Sequence, residues 1–258
     1  MRMFMLPRSF KHDHEITVSG KNYHYLIHVL RYQTGTVFSG RSVDGSLWQL
    51  LLSSINEKEK SCTLTCTPAQ DMPGTLSPVS QLPEIHVYQS ILKGKKMDVL
   101  IRQLVEIGIT RFIPVQSQYS VVQLLNKEHD HKHQRWCQIR DEAIQQSGSP
   151  VVTSIEEPMS FSDMIEDWDE RGLGIFFHHE KLHEQTLSQI IRAHHVESMP
   201  TALFVGCEGG VSDSEVHALR KAGFKPAFLN TNILRAETAS VYASACTQML
   251  LQEISQNS

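Results

Sequence analysis

Between Pro68 and Pro83 the chain reads PAQDMPGTLSPVSQLP, with four prolines, a glycine and no sustained apolar period. Proline lacks a backbone donor and fixes φ, so this stretch neither continues a sheet nor extends a helix, and it reads as a linker. The patterns on its two sides differ. Before it, residues 35–40, 46–52 and 61–66 are short strand-like runs broken by glycine and by Asp44-Gly45. One helix is expected over residues 21–31, where Tyr25, Leu26, Val29 and Leu30 recur at helical spacing. After it, strand-like runs at 84–91, 111–116, 151–155, 174–177, 202–206 and 227–229 alternate with helical stretches at 95–107, 134–146, 161–168, 187–193 and 214–221. A closing helix is expected over 236–254. Such alternation implies a parallel sheet covered on both faces. The reading is an α/β chain with a small, mostly β domain at 1–70, a linker at 71–83 and a larger domain at 84–258.

A chain of 258 residues, 40% hydrophobic and 20% charged, can build one large or two ordinary cores. No apolar run approaches the roughly 18–20 residues of a membrane span. Pro7 and Arg8 interrupt the apolar start too early for a signal peptide, so no membrane association and a cytoplasmic location are expected. The five cysteines are odd in number and scattered, which makes a poor disulfide framework. Cys62 and Cys66 fall on one face of a strand, but no second pair completes a zinc site, and both read as buried thiols. The net charge of −4 hides an asymmetry: residues 1–70 hold 8 basic and 5 acidic side chains, the remainder 16 and 23, with 7 acids between Glu156 and Glu170. Binding follows local potential, so the acidic total leaves an anionic partner such as RNA possible for the basic first domain.

Ligands of open parallel sheets bind beyond the carboxyl ends of the strands, which singles out three loops. The first follows the apolar run Thr201–Val205 as Gly206-Cys207-Glu208-Gly209-Gly210, where glycines let backbone amides approach a ligand. Ser212 and Glu215 then carry the spacing of a capping box. The second is Leu229-Asn230-Thr231-Asn232-Ile233-Leu234-Arg235-Ala236-Glu237-Thr238-Ala239, a strand end feeding a helix, in which Arg235 suits an anionic group. The third is Phe177-His178-His179. His179-Glu180-Lys181-Leu182-His183 fits the H-E-x-x-H pattern, yet the first histidine adjoins a strand end rather than a helical face, so no metal is expected. The run His129, His131 and His133 reads as a solvated polar loop.

GCEGG followed by SDSE, and ILRAETA at the head of the last helix, resemble the paired motifs of the RsmE family of ribosomal RNA methyltransferases. The likeness runs along the whole chain, through MLPRSF at 5–10, YHYLIHVLR at 23–31, KGKKMD at 93–98, QLVEIGI at 103–109 and AIQQSG at 143–148. It implies a PUA-like β-barrel followed by a SPOUT domain, an α/β fold whose C-terminal chain forms a trefoil knot. The implied protein is a homodimer that binds S-adenosylmethionine in the knot and makes N3-methyluridine in 16S ribosomal RNA of the small subunit. The cofactor contacts implied are Phe177, His178, Gly206, Glu208, Gly209, Gly210, Leu229, Asn230, Ile233, Leu234, Thr238 and Ala239. Arg2, Arg8, Lys11, Arg31 and Arg41 of the first domain would grip RNA phosphates.

N3 of neutral uridine has no available lone pair, so methylation needs a place for the imide proton. Arg235 is the candidate stabiliser of charge on the uracil oxygens, and Glu237 or Glu208 the candidate proton acceptor. The paired base must also leave its helix to expose N3. Five positions depart from the family pattern: Cys207 replaces proline in the glycine loop, Tyr119 and Asn232 replace arginines, and Ser149 and Pro150 follow Gly148 where an arginine and a polar residue are usual. These departures leave open a second reading, an RNA-binding relative that is retargeted or no longer methylates.

Overall fold

The protein is described by a computed structural model covering residues 3–7, 9–69, 82–122, 129–169, 171–178, 180, 185–196 and 198–256. The chain divides into two compact units, residues 1–80 with 144–152, and residues 81–143 with 153–258. Most of the proposed linker lies outside the described residues.

The first unit is a curled five-stranded sheet in the order β1-β3-β4-β5-β2, formed by β1 (Phe4–Met5), β2 (Glu15–Ser19), β3 (Val37–Arg41), β4 (Leu47–Asn56) and β5 (Ser61–Pro68). Its pairs are antiparallel except β1 with β3. Among the described residues β1 and β2 remain the two edges, so the sheet is a half-barrel where a barrel was expected. Alternation along β4 and β5 turns Leu50, Leu52, Cys62, Leu64 and Cys66 inward against Phe4, Leu26 and Phe38. The expected helix over 21–31 is shorter and changes pitch: α1 (Gly20–His24) runs into a π-helical turn, Tyr25–Val29. The π turn keeps Leu26 in the core while Val29 is left exposed.

Residues 144–152 complete this unit. Met3 N–H donates to the Gln145 carbonyl at 3.2 Å, and Arg41 donates to the carbonyls of Gly45 and Pro150 at 3.1 and 2.7 Å.

The second unit is a seven-stranded, wholly parallel sheet, β12-β10-β11-β6-β7-β8 with β9 also beside β7. Its strands are β6 (Ile85–Ser90), β7 (Arg111–Gln116), β8 (Ser154–Ile155), β9 (Met159–Ser160), β10 (Leu173–Phe177), β11 (Thr201–Val205) and β12 (Lys225–Ala227). The helices are α2 (Lys96–Ile107), α3 (His129–Ser147), α4 (Phe161–Trp168), α5 (Leu187–His194), α6 (Asp213–Lys221) and α7 (Ala236–Gln256). Every residue of β6, β10 and β11 is buried, as strands covered on both faces must be. One face packs Tyr88, Phe176 and Phe204 against Met164, Trp168, Leu219 and Phe224. Helices α2 and α5 each pack on α7, which also lies on β6 and β11.

Local chemistry sets the helix ends. Gly108 closes α2 in the left-handed conformation, φ 89°, donating to the carbonyls of Leu104 and Val105. Capping boxes open α4, α5 and α6 at Ser160/Asp163, Thr186/Gln189 and Ser212/Glu215. The polar run at 129–133 is the start of α3 rather than a loop; the His133 ring bonds the Ile155 carbonyl at 2.8 Å and the Glu157 carboxylate at 3.0 Å. The strand expected at 151–155 is confined to β8, because Ser149 to Val152 pack with the first unit. The last strand, expected at 227–229, ends at Ala227; as the edge strand it tolerates Pro226. Residues 228–235 thereby leave the sheet.

Candidate active site

Because the strands are parallel, β10, β11 and β12 deliver their carboxyl ends to one side, where the three loops singled out above converge. They enclose a cavity of about 500 Å³ together with the first turns of α2 and α7, a volume in the range of small-molecule sites. Its apolar wall includes Phe177, Val205, Leu229 and Leu234.

The glycine loop is tight by construction. A Cβ on Gly206 would stand 2.7 Å from the Gly210 carbonyl oxygen, and Gly210 itself has φ 79°. Gly210 N–H donates back to the Cys207 carbonyl at 2.9 Å. Beneath the loop, the fully buried Gln89 Nε2 donates to the carbonyls of Ser90, Val205 and Gly206 at 3.0, 3.3 and 3.2 Å, pinning the end of β11 to β6. Beyond the loop, Glu215 accepts from Ser212 N–H at 3.0 Å and Gln118 N–H at 2.7 Å, tying the α6 cap to the segment after β7. Tyr119 of that segment lies against Gly209.

The charges are distributed unequally. Lys96 Nζ donates to Glu208 Oε1 at 2.8 Å and stands 3.5 Å from Glu237 Oε2. Lys93 N–H also donates to Glu208, at 3.3 Å. Burial alone would raise the Glu208 pKa, but the Lys96 hydrogen bond and the backbone donors prevail and hold it below the usual carboxylate value. Lys96 is correspondingly raised, chiefly by its hydrogen bond to Glu208. Glu237 Oε2 is buried, with the Lys96 ammonium 3.5 Å away. Arg235 is exposed at the cavity, and among the described residues its guanidinium has no partner.

Of the residues expected from sequence, Phe177, His178, Gly206, Glu208, Gly209, Gly210, Leu229, Ile233, Leu234, Arg235 and Ala239 line this cavity. Asn230 and Thr238 do not line it, both being exposed on the flanking turns. Glu237 reaches it through Lys96. Sequence reasoning missed Lys96 as a site residue, although it stands in the KGKK segment, because nothing local relates that lysine to Glu208 in a loop more than a hundred residues away. Phe228, Thr231 and Ala236 also line the cavity, although the sequence reading gives them no contact.

The expected RNA contacts fare unevenly. Lys11 and Arg31 are exposed on the first unit, whereas Arg2 and Arg8 lie outside the described residues. Arg41 is corrected: it is buried, and its guanidinium is spent on two backbone carbonyls, with burial lowering its pKa. Most of the His179–His183 match also lies outside the described residues.

Residues 80–248 match a family model described as an RNA methyltransferase domain. The chain belongs to that family. The RNA methyltransferase domain thus coincides with the unit that carries the cavity. Ribosomal RNA small subunit methyltransferase E of Aquifex aeolicus is 31% identical over 188 residues, spanning 71% of this chain and 75% of the relative. The protein of the same description from Bacillus subtilis is 26% identical over 232 residues, spanning 88% and 87%. In fold, the chain is similar to the crystal structure of a ribosomal RNA small subunit methyltransferase E from Neisseria gonorrhoeae bound to S-adenosyl methionine, with TM-score 0.80 and 22% identity over 97% of this chain and 98% of that one. The resemblance read from the GCEGG and ILRAETA motifs is borne out.

Proposed function

We propose that this chain transfers a methyl group from S-adenosylmethionine to N3 of a uridine in 16S ribosomal RNA of the small subunit. The observation that carries the reading is the convergence on one cavity, in an RNA methyltransferase domain, of the glycine loop 206–210 and of Arg235, whose guanidinium has no partner among the described residues.

The cavity suits the cofactor. Its volume is adequate, Gly206 and Gly210 bring backbone close without side chains, and Phe177, Leu229 and Leu234 offer apolar surface for an adenine ring. Glu208 and Glu237 place negative charge where a cationic ligand is favoured. When bound, S-adenosylmethionine supplies an electrophilic methyl group. The residues of this chain do the rest. The loops after β10, β11 and β12 hold the two reactants in line, the proximity contribution. Arg235 donates to a uracil oxygen as negative charge develops there, an electrostatic contribution of about 10²–10³ in rate. A glutamate at the cavity takes the imide proton. Ile233, 92% exposed on the lip, is an apolar side chain that a docked base would cover.

The same reading expects a homodimer in the cytoplasm, with the C-terminal segment threaded as a trefoil knot and Lys11 and Arg31 of the first unit holding RNA phosphates. The deciding test is transfer of labelled methyl from S-adenosylmethionine to small ribosomal subunits lacking the modification. Labelled N3-methyluridine, identified by mass spectrometry, is the expected result. Cofactor binding without transfer would instead support the RNA-binding alternative, which Tyr119 and Asn232 motivate by standing where the family carries arginine.

A further inference from the structure

The turn after β7 holds an aromatic ring in the open beside the glycine loop. We propose that Tyr119 is a stacking platform for an RNA base at the rim of the cavity, taking the nucleotide next to the target uridine. The proposal rests on the methyl-transfer reading and names the part of the RNA that this ring holds.

Tyr119 is 46% exposed, yet its position is closely determined. Ser120 N–H donates to the Ser117 carbonyl at 3.1 Å, and Ser117 N–H donates to Ser120 Oγ at 3.3 Å. The two hydroxyls lie 2.9 Å apart, and both serines are buried. Between them, Gln118 N–H donates to the buried Glu215, and the Gln118 side-chain oxygen accepts from Ser214 Oγ at 3.0 Å. The turn is thus fastened to the α6 cap, and the ring is mounted on a fixed backbone. Gly209 makes room for it. That glycine is not in the left-handed conformation, so its backbone does not call for glycine. A Cβ there would instead stand 2.8, 3.3 and 3.5 Å from Cβ, Cγ and Cδ2 of Tyr119. The bare position serves the contact with the tyrosine.

The phenol hydroxyl has no hydrogen-bond partner among the described residues, so it is not spent on the fold. Tyr119 touches Gly209, which lines the cavity, but does not line the cavity itself. N3 of the target uridine has to enter the cavity to meet the methyl group, so that base passes beyond the ring. A base flipped out of its stack bares the face of its neighbour. An aromatic ring fixed at the rim supplies the stacking that the neighbour has lost. The arginine usual at this position would offer a charge to phosphate; tyrosine offers a planar face and no charge, which suits a base.

The experiment measures methyl transfer to small ribosomal subunits lacking the modification, subunit affinity by filter binding and S-adenosylmethionine affinity by calorimetry. It compares the unaltered protein with Tyr119→Ala, Tyr119→Leu and Tyr119→Phe. Tyr119→Ala should raise KM and Kd for the subunits about tenfold, as loss of one stacked base does, with S-adenosylmethionine affinity unmoved. Tyr119→Leu, apolar but without a ring face, should bind as poorly as Tyr119→Ala, and Tyr119→Phe should restore binding. The loss should be equal at low and high salt, because a stacked base releases no counterions. Ultraviolet irradiation of the unaltered complex should join Tyr119 to a nucleotide adjacent to the methylated uridine, identified by mass spectrometry of the peptide adduct. Tyr119→Leu binding as well as Tyr119→Phe overturns the proposal, as does an adduct to the target uridine itself or none at Tyr119. Subunit affinity unmoved by Tyr119→Ala also overturns it, and a shift in self-association on sedimentation would then assign the ring to a contact between copies of this chain. If the unaltered protein binds subunits but transfers no methyl to N3, the reaction reading fails by itself. The subunit affinities of the four proteins then still decide whether Tyr119 stacks on RNA.

Discussion

Tyr119 stands so close to Gly209 that a Cβ added to the glycine would lie 2.8 Å from the tyrosine Cβ. The nearest atom belongs to the part of Tyr119 fixed by backbone, so rotating the ring cannot relieve the contact. Gly209→Ala should push the glycine loop off the segment after β7 and weaken S-adenosylmethionine binding about tenfold, in keeping with overpacking costs of about 1–3 kcal/mol. Tyr119→Ala, which keeps the Cβ, should not rescue it; Tyr119→Gly should. Calorimetric affinities of the three variants decide this, and equal rescue by alanine and glycine would refute the geometry.

Arg235 has no intramolecular partner among the described residues, so its removal should leave the fold untouched. Arg235→Ala is expected to lower kcat by about 10²–10³ with cofactor affinity and melting temperature unchanged. A melting temperature that falls with the rate would make Arg235 a structural residue instead.

Arg41 presents the opposite prediction. Arg41→Met leaves the carbonyls of Gly45 and Pro150 without their charged donor and should cost about 2–4 kcal/mol in urea unfolding. Amide exchange should accelerate across residues 144–152. A variant of normal stability that binds ribosomal RNA weakly would restore Arg41 to the phosphate-gripping set.

The thiols of Cys62 and Cys66 are each pushed up to about 11 by burial, with Asp13 and Glu15 adding to the effect at Cys66. A native pKa above the unfolded value of about 9 means that the unfolded chain loses the proton first. The stability contributed by keeping each thiol neutral is therefore complete below about pH 9 and lost as pH rises towards 11, at about 3 kcal/mol per thiol. Cys62→Ser with Cys66→Ser should flatten that alkaline decline. Urea unfolding at pH 8, 9.5 and 10.5 provides the measurement.

Much of the frame was legible because its signals are local. Apolar runs such as 173–177 and 201–205 can only be strands buried on both faces, Gly108 ends a helix, and Ser212 with Glu215 starts one. The glycine loop and Arg235 announced themselves for the same reason. Lys96, Arg41 and the 144–152 segment did not, because their meaning lies in partners far along the chain: Glu208, Pro150 and Met3. The half-barrel, too, depends on whether β1 and β2 meet, which strand propensity does not determine. The π turn at Tyr25–Val29 escaped because apolar spacing alone does not separate an α-helix from a wider one over so few residues.

The assignment of residues 144–152 to the first unit has a consequence for how the protein is made. A chain emerging from the ribosome presents residues 1–80 first, yet the Arg41 guanidinium and the Met3 amide must wait for carbonyls that arrive much later. At roughly 5–20 residues per second the delay is several seconds. During it, the earliest-made part of the protein is held incomplete, and nascent-chain truncations should acquire protease resistance in that part only after residue 152 has cleared the exit tunnel.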